Sequence, residues 1–321
     1  MASAIAGDAG QGMEPGRTGT IGQTTVPWSV AWLTWPSLFV GNIGVGLHAI
    51  ARHWDYSIVL TSLLLANVAV LIVLETAFPA DRRWKMTWRS FFRDLKYFGV
   101  SGLTIAATNG IFGLASIRLN AGHAGPITEW PLWLSVPVAL LVVDFFNYWQ
   151  HRWSHELEGR LGRFLWRTHV AHHLPPQVYV LMHVAGHPIN IFLVRGFVNL
   201  LPLYLLGANP ETVLLANLVV TLQGLVSHCN LDLRAGWFNY VFVGTELHRY
   251  HHSARLSESK NYAATLSILD LALGTFHYRP GRLPERLGVL DQSAYPDSNE
   301  LWKVMKLPFV SPALSAPPSH G

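Results

Sequence analysis

The chain has 321 residues, half of them hydrophobic and only 13% charged, against about a quarter charged in ordinary soluble domains. So few charges cover a water-facing surface poorly, whereas a lipid-facing surface needs none, and the composition argues against a soluble globule. The formal net charge of +4 is too small to indicate nucleic acid, and anionic lipid headgroups account for it.

In chain order, residues 1–26 are rich in Gly, Ala, Ser and Thr without apolar periodicity and read as a disordered tail. No basic start followed by an apolar run marks a cleavable signal. Crossing a bilayer takes about 20 apolar residues in a helix, and such runs occupy 30–50, 57–79, 97–117 and 131–149. Two more, 189–206 and 211–227, are separated by Gly207 and Pro210, so they read as two further spans or as a re-entrant pair. The expected fold is all-α, a polytopic membrane helical bundle of four to six transmembrane helices with a cytoplasmic helical cap.

The connection at 81–96 carries Arg82, Arg83, Lys85, Arg89, Arg93 and Lys96, while those near Arg52 and Arg118 carry one basic residue each. Lys and Arg accumulate on cytoplasmic connections. With six spans, the basic connection, the region 150–188, everything after His228 and both termini fall on the cytoplasmic side. Trp84, Trp88, Phe91, Phe92 and Leu95 interleave with Arg89, Arg93 and Lys96 at helical spacing, which predicts an interfacial amphipathic helix.

Thirteen tryptophans fit membrane interfaces, where the ring is apolar and its N–H stays wet. Sixteen histidines have no such explanation and ask for chemistry. The single cysteine, Cys229, excludes an internal disulfide and any Cys-x-x-Cys site.

Nine of the histidines form a pattern beside the ends of the apolar runs. His151 and His155 are an i, i+4 pair. His169, His172 and His173 form an i, i+3, i+4 set, and so do His248, His251 and His252. On helical backbone each set can present its rings to a common point. With His228, nine imidazoles are available, more than one four- to six-coordinate ion can use, so the spacing implies two metal ions. Imidazole suits several metals. A structural zinc site normally closes at four ligands, and redox iron is the more economical choice. His48, His53, His123, His277 and His320 stand alone and read as surface or capping groups, whereas His183 and His187 stay open as additional ligands.

The residues around these clusters resemble the sterol desaturase and fatty acid hydroxylase superfamily of integral-membrane histidine-box enzymes. The likeness rests on Asp144-Phe-Phe-Asn-Tyr148-Trp149-Gln-His151-Arg152, His169-Val-Ala-His172-His173, Ser227-His228-Cys-Asn230, Glu246-Leu-His248-Arg-Tyr-His251-His252-Ser253, and Asn261-Tyr262 followed by Leu266-Ser267, Asp270 and Gly274-Thr275-Phe276. It implies a membrane-bound di-iron oxidoreductase that uses O2 and external electrons to hydroxylate or desaturate a C–H bond of a lipid such as a sterol or fatty acyl chain. The implied ligands are His151, His155, His169, His172, His173, His228, His248, His251 and His252. Asp144, Glu246, Asp270, Asn230 and Asn261 would orient them, since a ligating imidazole usually donates its other N–H to such a group. Where some relatives carry a further histidine one turn before His228, this chain has Gly224.

The expected division is an N-terminal transmembrane region over 27–130, a catalytic domain over 131–278 and a Pro-rich cytoplasmic tail over 279–321. No haem-binding His-Pro-Gly-Gly motif, cysteine cluster or Gly-x-Gly-x-x-Gly loop is present, so electrons are expected from a separate cytochrome b-type or ferredoxin-type donor. Two other classes compete. A membrane metal transporter would place ionisable ligands along a path inside the spans, and a cytochrome b-like carrier would place paired axial histidines on facing helices.

Overall fold

A computed structural model describes residues 26–120 and 123–310; the expected N-terminal tail lies outside them except for Val26. Among the described residues the chain is helical, with two isolated backbone bridges and no strand. Its elements are α1 (Trp28–Ala51), α2 (Tyr56–Ala77), α3 (Trp88–Asn120), α4 (Leu132–Glu156), α5 (Gly159–His173), α6 (Pro188–Leu205) and α7 (Pro210–His228). Short helices α8 (Thr245–His251), α9 (Ile268–Ala272) and α10 (Leu301–Lys306) follow. All but α5 of the first seven are long and apolar enough to cross a membrane. The 189–227 region forms two helices, of 18 and 19 residues, each long and apolar enough to span.

These six helices alternate in direction, so the end of each that nears the histidines can be named. It is the N-terminal end of α1, α3 and α6 and the C-terminal end of α2, α4 and α7. Helix α7 is the hub, with 61% of its apolar window buried against 11–33% in the others. On α1, Gly46 lets α7 approach, since a Cβ there would lie 2.8 Å from Leu215 and Leu218 side chains. Trp35 Nε1 donates to Gln223 Oε1 (2.7 Å), a bond that is strongly favoured where no water can substitute. Asn42 and Asn67 exchange amide hydrogen bonds at 3.1 and 2.8 Å and pin α1 to α2 in the same way. Asp55 caps α2 by accepting from Ser57 and Ile58 N–H, and Asn209 caps α7 ahead of Pro210.

Two expectations change. The aromatic-basic stretch and the third span are one 33-residue helix, α3, with Arg93 turned inward while Arg89 and Lys96 stay exposed. Arg93 is buried against Asp94 (2.7 Å) and the Tyr179 hydroxyl (2.7 Å), while Trp88 and Phe92 are exposed. Lipid, not water, suits that exposed face. Trp84 lies outside the helix, buried under the Arg249 guanidinium.

The second change concerns residues 279–310, expected as a tail. Val289, Leu301, Val304 and Leu307 are buried against Trp166, Val170, Ala171 and Leu174 of the α5 region. Arg89 pairs with Asp297 at 2.7 Å, tying this segment to α3. Leu301, Val304 and Leu307 sit three apart on two short consecutive helical turns and Val289 in a loop, a run too short for its period to stand out in the sequence. Only 311–321 of the expected tail lies outside the described residues.

Candidate metal centre

Four elements deliver nine imidazoles to the histidine end of the bundle. His151 and His155 occupy the last two turns of α4, His169, His172 and His173 the end of α5, and His228 the last residue of α7. His248 and His251 come from α8, and His252 is its C-cap. They gather in two groups. One holds His151, His155, His169, His173 and His251, and the other His172, His228, His248 and His252; within each group, one ring nitrogen per residue lies within 4.8 Å of all the others.

The i, i+3, i+4 sets therefore do not converge on single points as expected. Each splits, sending its i, i+4 pair to one group and its i+3 residue to the other. At about 100° per residue, i+4 departs from i by about +40° and i+3 by about −60°, so i+3 and i+4 face opposite sides of the stripe.

Ring chemistry shows what such groups can hold. His151 Nδ1 donates to the Tyr262 carbonyl (2.7 Å), His251 Nδ1 to Lys260 (2.9 Å), His228 Nδ1 to Gly224 (2.7 Å) and His172 Nδ1 to Ala185 (3.1 Å). With its proton on Nδ1, each of these rings presents a bare lone pair at Nε2. Yet the Nε2 atoms crowd together. In the first group His169 lies 3.0 Å from both His151 and His173, and His251 lies 3.2 Å from His173. In the second, His228 lies 3.0 Å from both His172 and His248, and His252 lies 3.2 Å from His248.

Lone pair against lone pair is repulsive unless a cation lies between, and about 3 Å is the separation of adjacent ligands on an ion with metal–nitrogen bonds of about 2.1 Å. His155 Nε2 is buried without a hydrogen-bond partner, as a ring reserved for a cation requires. Burial also keeps the rings uncharged. Desolvation lowers His169, His173, His248, His251 and His252 well below the ordinary imidazole value, assisted in each by neighbouring histidines, and lowers His172 to about 3. The residues fit a pair of cations, each held by neutral imidazole.

The five polar residues expected to orient the rings sit one step further back, with their hydrogen bonds directed to backbone and to other side chains. Asp144 accepts from the N–H groups of Ala264, Thr265 and Leu266, the shortest at 2.6 Å. Asp270 accepts from Tyr262 and Ala263 N–H and from the Thr275 hydroxyl. Asn261, in the left-handed region at φ 61°, donates to the Leu247 and His277 carbonyls. Together they fix the loop whose Tyr262 carbonyl orients His151. Glu246 joins the start of α8 to Ala235 N–H and Asn239, and Asn230 binds the Asp81 backbone in both directions.

Two residues the sequence did not single out matter here. Glu75, near the end of α2, accepts from Val180 and Asn230 N–H and fastens two loops beside the second group. The Asn190 side chain hydrogen-bonds His169. A carboxylate inside an apolar run was the available signal for the first; nothing local marks the second.

Neither group includes His183 or His187. His187 caps α6, accepting from Ile189 N–H, and bonds the Met305 carbonyl. His183 stacks on His228 (centroids 4.6 Å apart), and its ring lies 3.0 Å from where a Cβ on Gly224 would be. His183 is exposed and His172 partly so, whereas every ring of the first group is buried. The flank of the second group at His172 is therefore its open side. Of the solitary histidines, His48 packs edge-on to Trp54, His123 stacks on Tyr204 and His277 meets Tyr250. His53 belongs to the turn after α1, and His320 lies outside the described residues.

Comparison with known proteins agrees with this geometry. The fatty acid hydroxylase family profile matches residues 136–275, the stretch that contains all nine rings. An ornithine lipid hydroxylase of Rhizobium tropici is 30% identical over 276 residues, covering 83% of this chain and 81% of that protein. The chain belongs to the fatty acid hydroxylase family. Other relatives align over less than half of this chain. Sphinganine C4-monooxygenase 1 of Arabidopsis thaliana is 25% identical over 46% of this chain and 55% of its own length. Human alkylglycerol monooxygenase is 29% identical over 43% and 29%. No solved structure matches the chain. Membership and the six apolar helices make this hydroxylase-family chain an integral membrane protein.

Proposed function

We infer that the protein is an O2-dependent, non-haem di-iron lipid hydroxylase. The observation that carries this reading is the pair of imidazole groups, five and four rings, in which every Nε2 but that of His155 lies 3.0–3.2 Å from a neighbour's and four of them are bare because Nδ1 donates to a backbone carbonyl. The nine histidines would hold two iron ions, which supply dioxygen activation and C–H oxidation with electrons from outside. Relatives that are hydroxylases and monooxygenases support hydroxylation ahead of desaturation.

The protein's own contribution is positional. Backbone carbonyls hold four ring tautomers, Asp144 and Asp270 hold the carbonyl loop, and burial excludes water from the first group. Substrate would approach the second group past His172 and His183, its open side. Because the rings lie at the ends of α4 and α7, the oxidised carbon belongs to the polar end of a lipid, not to mid-chain.

The basic residues Arg82, Arg83, Lys85 and Arg89 lie at this same end, which supports a cytoplasmic location for the centre and for a separate electron donor. We assign residues 131–278 as the catalytic region, braced by 279–310. Purified protein should contain about two irons per chain and no haem absorption if the two groups are the ligand sets. Lipids from cells with and without the gene, compared by mass spectrometry, should show a species heavier by one oxygen atom. One metal per chain, or a lipid that only loses two hydrogens, would overturn the metal count or the hydroxylation respectively.

A further inference from the structure

Below the histidine end of the bundle, α6 carries a charge inside the membrane. Arg195 lies seven residues below Pro188, about 10 Å along the helix, within a π-helical stretch, Leu193–Leu200. Pro202 accounts for the widened turn, because it has no N–H to return to the preceding turn and its ring crowds it.

A long side chain can often reach back to an interface, but this one is held in place. Its Nε donates to Asn109 Oδ1 of α3 at 3.0 Å and its Nη1 to Asn217 Oδ1 of α7 at 3.4 Å. Asn217 lies eleven residues before His228, about 16 Å along α7 from the second imidazole group. No carboxylate pairs with Arg195 among the described residues, and the two amides leave guanidinium donors over. An uncompensated charge at such depth is costly and is normally paired or functional.

The space beside it indicates the partner. A cavity of about 420 Å³ lies between α3, α6 and α7, bounded by Arg195, Asn109, Phe112, Leu119, Tyr204 and Val213. From the guanidinium it extends along residues at the end of the bundle opposite the histidines. Its one cationic wall and otherwise largely apolar lining match an amphiphile with a single negative charge and a hydrocarbon chain, and its size is that of an ordinary small-ligand site. A planar guanidinium fork matches a carboxylate, while the glycerol and two chains of a phospholipid ask for more room.

The geometry points to a fatty-acid site: Arg195 and Asn109 bind the carboxylate of a single-chain fatty acid whose hydrocarbon fills the cavity between α3, α6 and α7. The site is separate from the metal centre and does not rest on its assignment.

The test uses full-length protein in phosphatidylcholine nanodiscs, with a bound fluorescent fatty acid displaced by oleate or by oleyl alcohol. Oleate should displace it at roughly ten-fold lower concentration than the alcohol, because only oleate satisfies the guanidinium. Arg195→Gln should erase that difference without changing metal content, and Asn109→Leu should reduce it. Equal potency of acid and alcohol in the unmodified protein would overturn the site, as would an acid preference that survives in Arg195→Gln. Should Arg195→Gln fail to fold, the unmodified comparison still decides, and Arg195→Lys should keep part of the preference. Native mass spectrometry separates the rival occupants. An Arg195-dependent phosphatidylglycerol, or a dimer that Arg195→Gln dissociates, would each refute the fatty-acid assignment.

Discussion

His172 and His173 are neighbours in sequence but belong to different groups, His172 Nε2 lying 3.0 Å from His228 Nε2 and His173 Nε2 lying 3.0 Å from His169 Nε2. Replacing either by alanine should therefore remove a ligand from only one ion. His172→Ala and His173→Ala should each lower iron from about two toward about one per chain and abolish product. His53→Ala, a change outside both groups, should leave metal content and product intact, with all three proteins inserting normally. Metal analysis beside lipid mass spectrometry checks this, and equal iron content in all three would contradict the two-group assignment.

Asp144 touches no imidazole, yet its three backbone hydrogen bonds hold the loop that orients His151. Asp144→Ala leaves the N–H groups of Thr265 and Leu266, both buried, and of Ala264, partly buried, without their acceptor, a loss on the order of 3 kcal/mol in loop stability. We expect faster metal loss to a chelator with all nine rings present, and a milder effect in Asp144→Asn, whose amide oxygen still accepts. Chelation kinetics report it.

Acid should destabilise the cap. The rings of His169, His172, His173, His248, His251 and His252 are lowered by burial in the folded protein, His172 to about 3, against about 6.5 when unfolded. Above pH about 6.5 neither state binds these protons. Below it the unfolded chain takes them up and the folded chain does not, so stability falls as the pH drops from about 6.5 toward 3. Thermal melts of metal-free protein at pH 7.5, 6.5 and 5.5 should show a falling midpoint; an unchanged one would mean the rings are already solvated.

Gly224 faces His183 so closely that even a methyl group would press on the ring. Gly224→Ala should displace His183 and disturb His228 beneath it, lowering turnover several-fold with less effect on folding, since the ring can shift toward its exposed side. The double variant with His183→Ala should recover iron content if the clash is the cause. Recovery that fails would place the defect in α7 itself.

Removing residues after Arg282 should disrupt the cap. Leu287, Val289, Leu301, Val304 and Leu307 are all buried, each contributing about 1.5–3 kcal/mol. The truncated protein should aggregate or lose its metal, as seen by size-exclusion chromatography and metal analysis.

Sequence alone determined the solvent, the helical class, the six apolar segments and the nine histidines, because membrane crossing and helical ligand spacing are local, periodic properties. Tertiary structure decided how those histidines are shared. The angular difference between i+3 and i+4 matters only once α4, α5, α7 and α8 have met, and spacing by itself cannot say which side each ring will find occupied. It also decided that backbone carbonyls orient the rings while the nearby carboxylates hold the backbone, since carbonyls are present at every residue and carry no sequence signal. The packing of 279–310 and the pairing of Arg195 with Asn109 and Asn217 were hidden for a related reason: contacts between residues far apart in the chain leave no period to read.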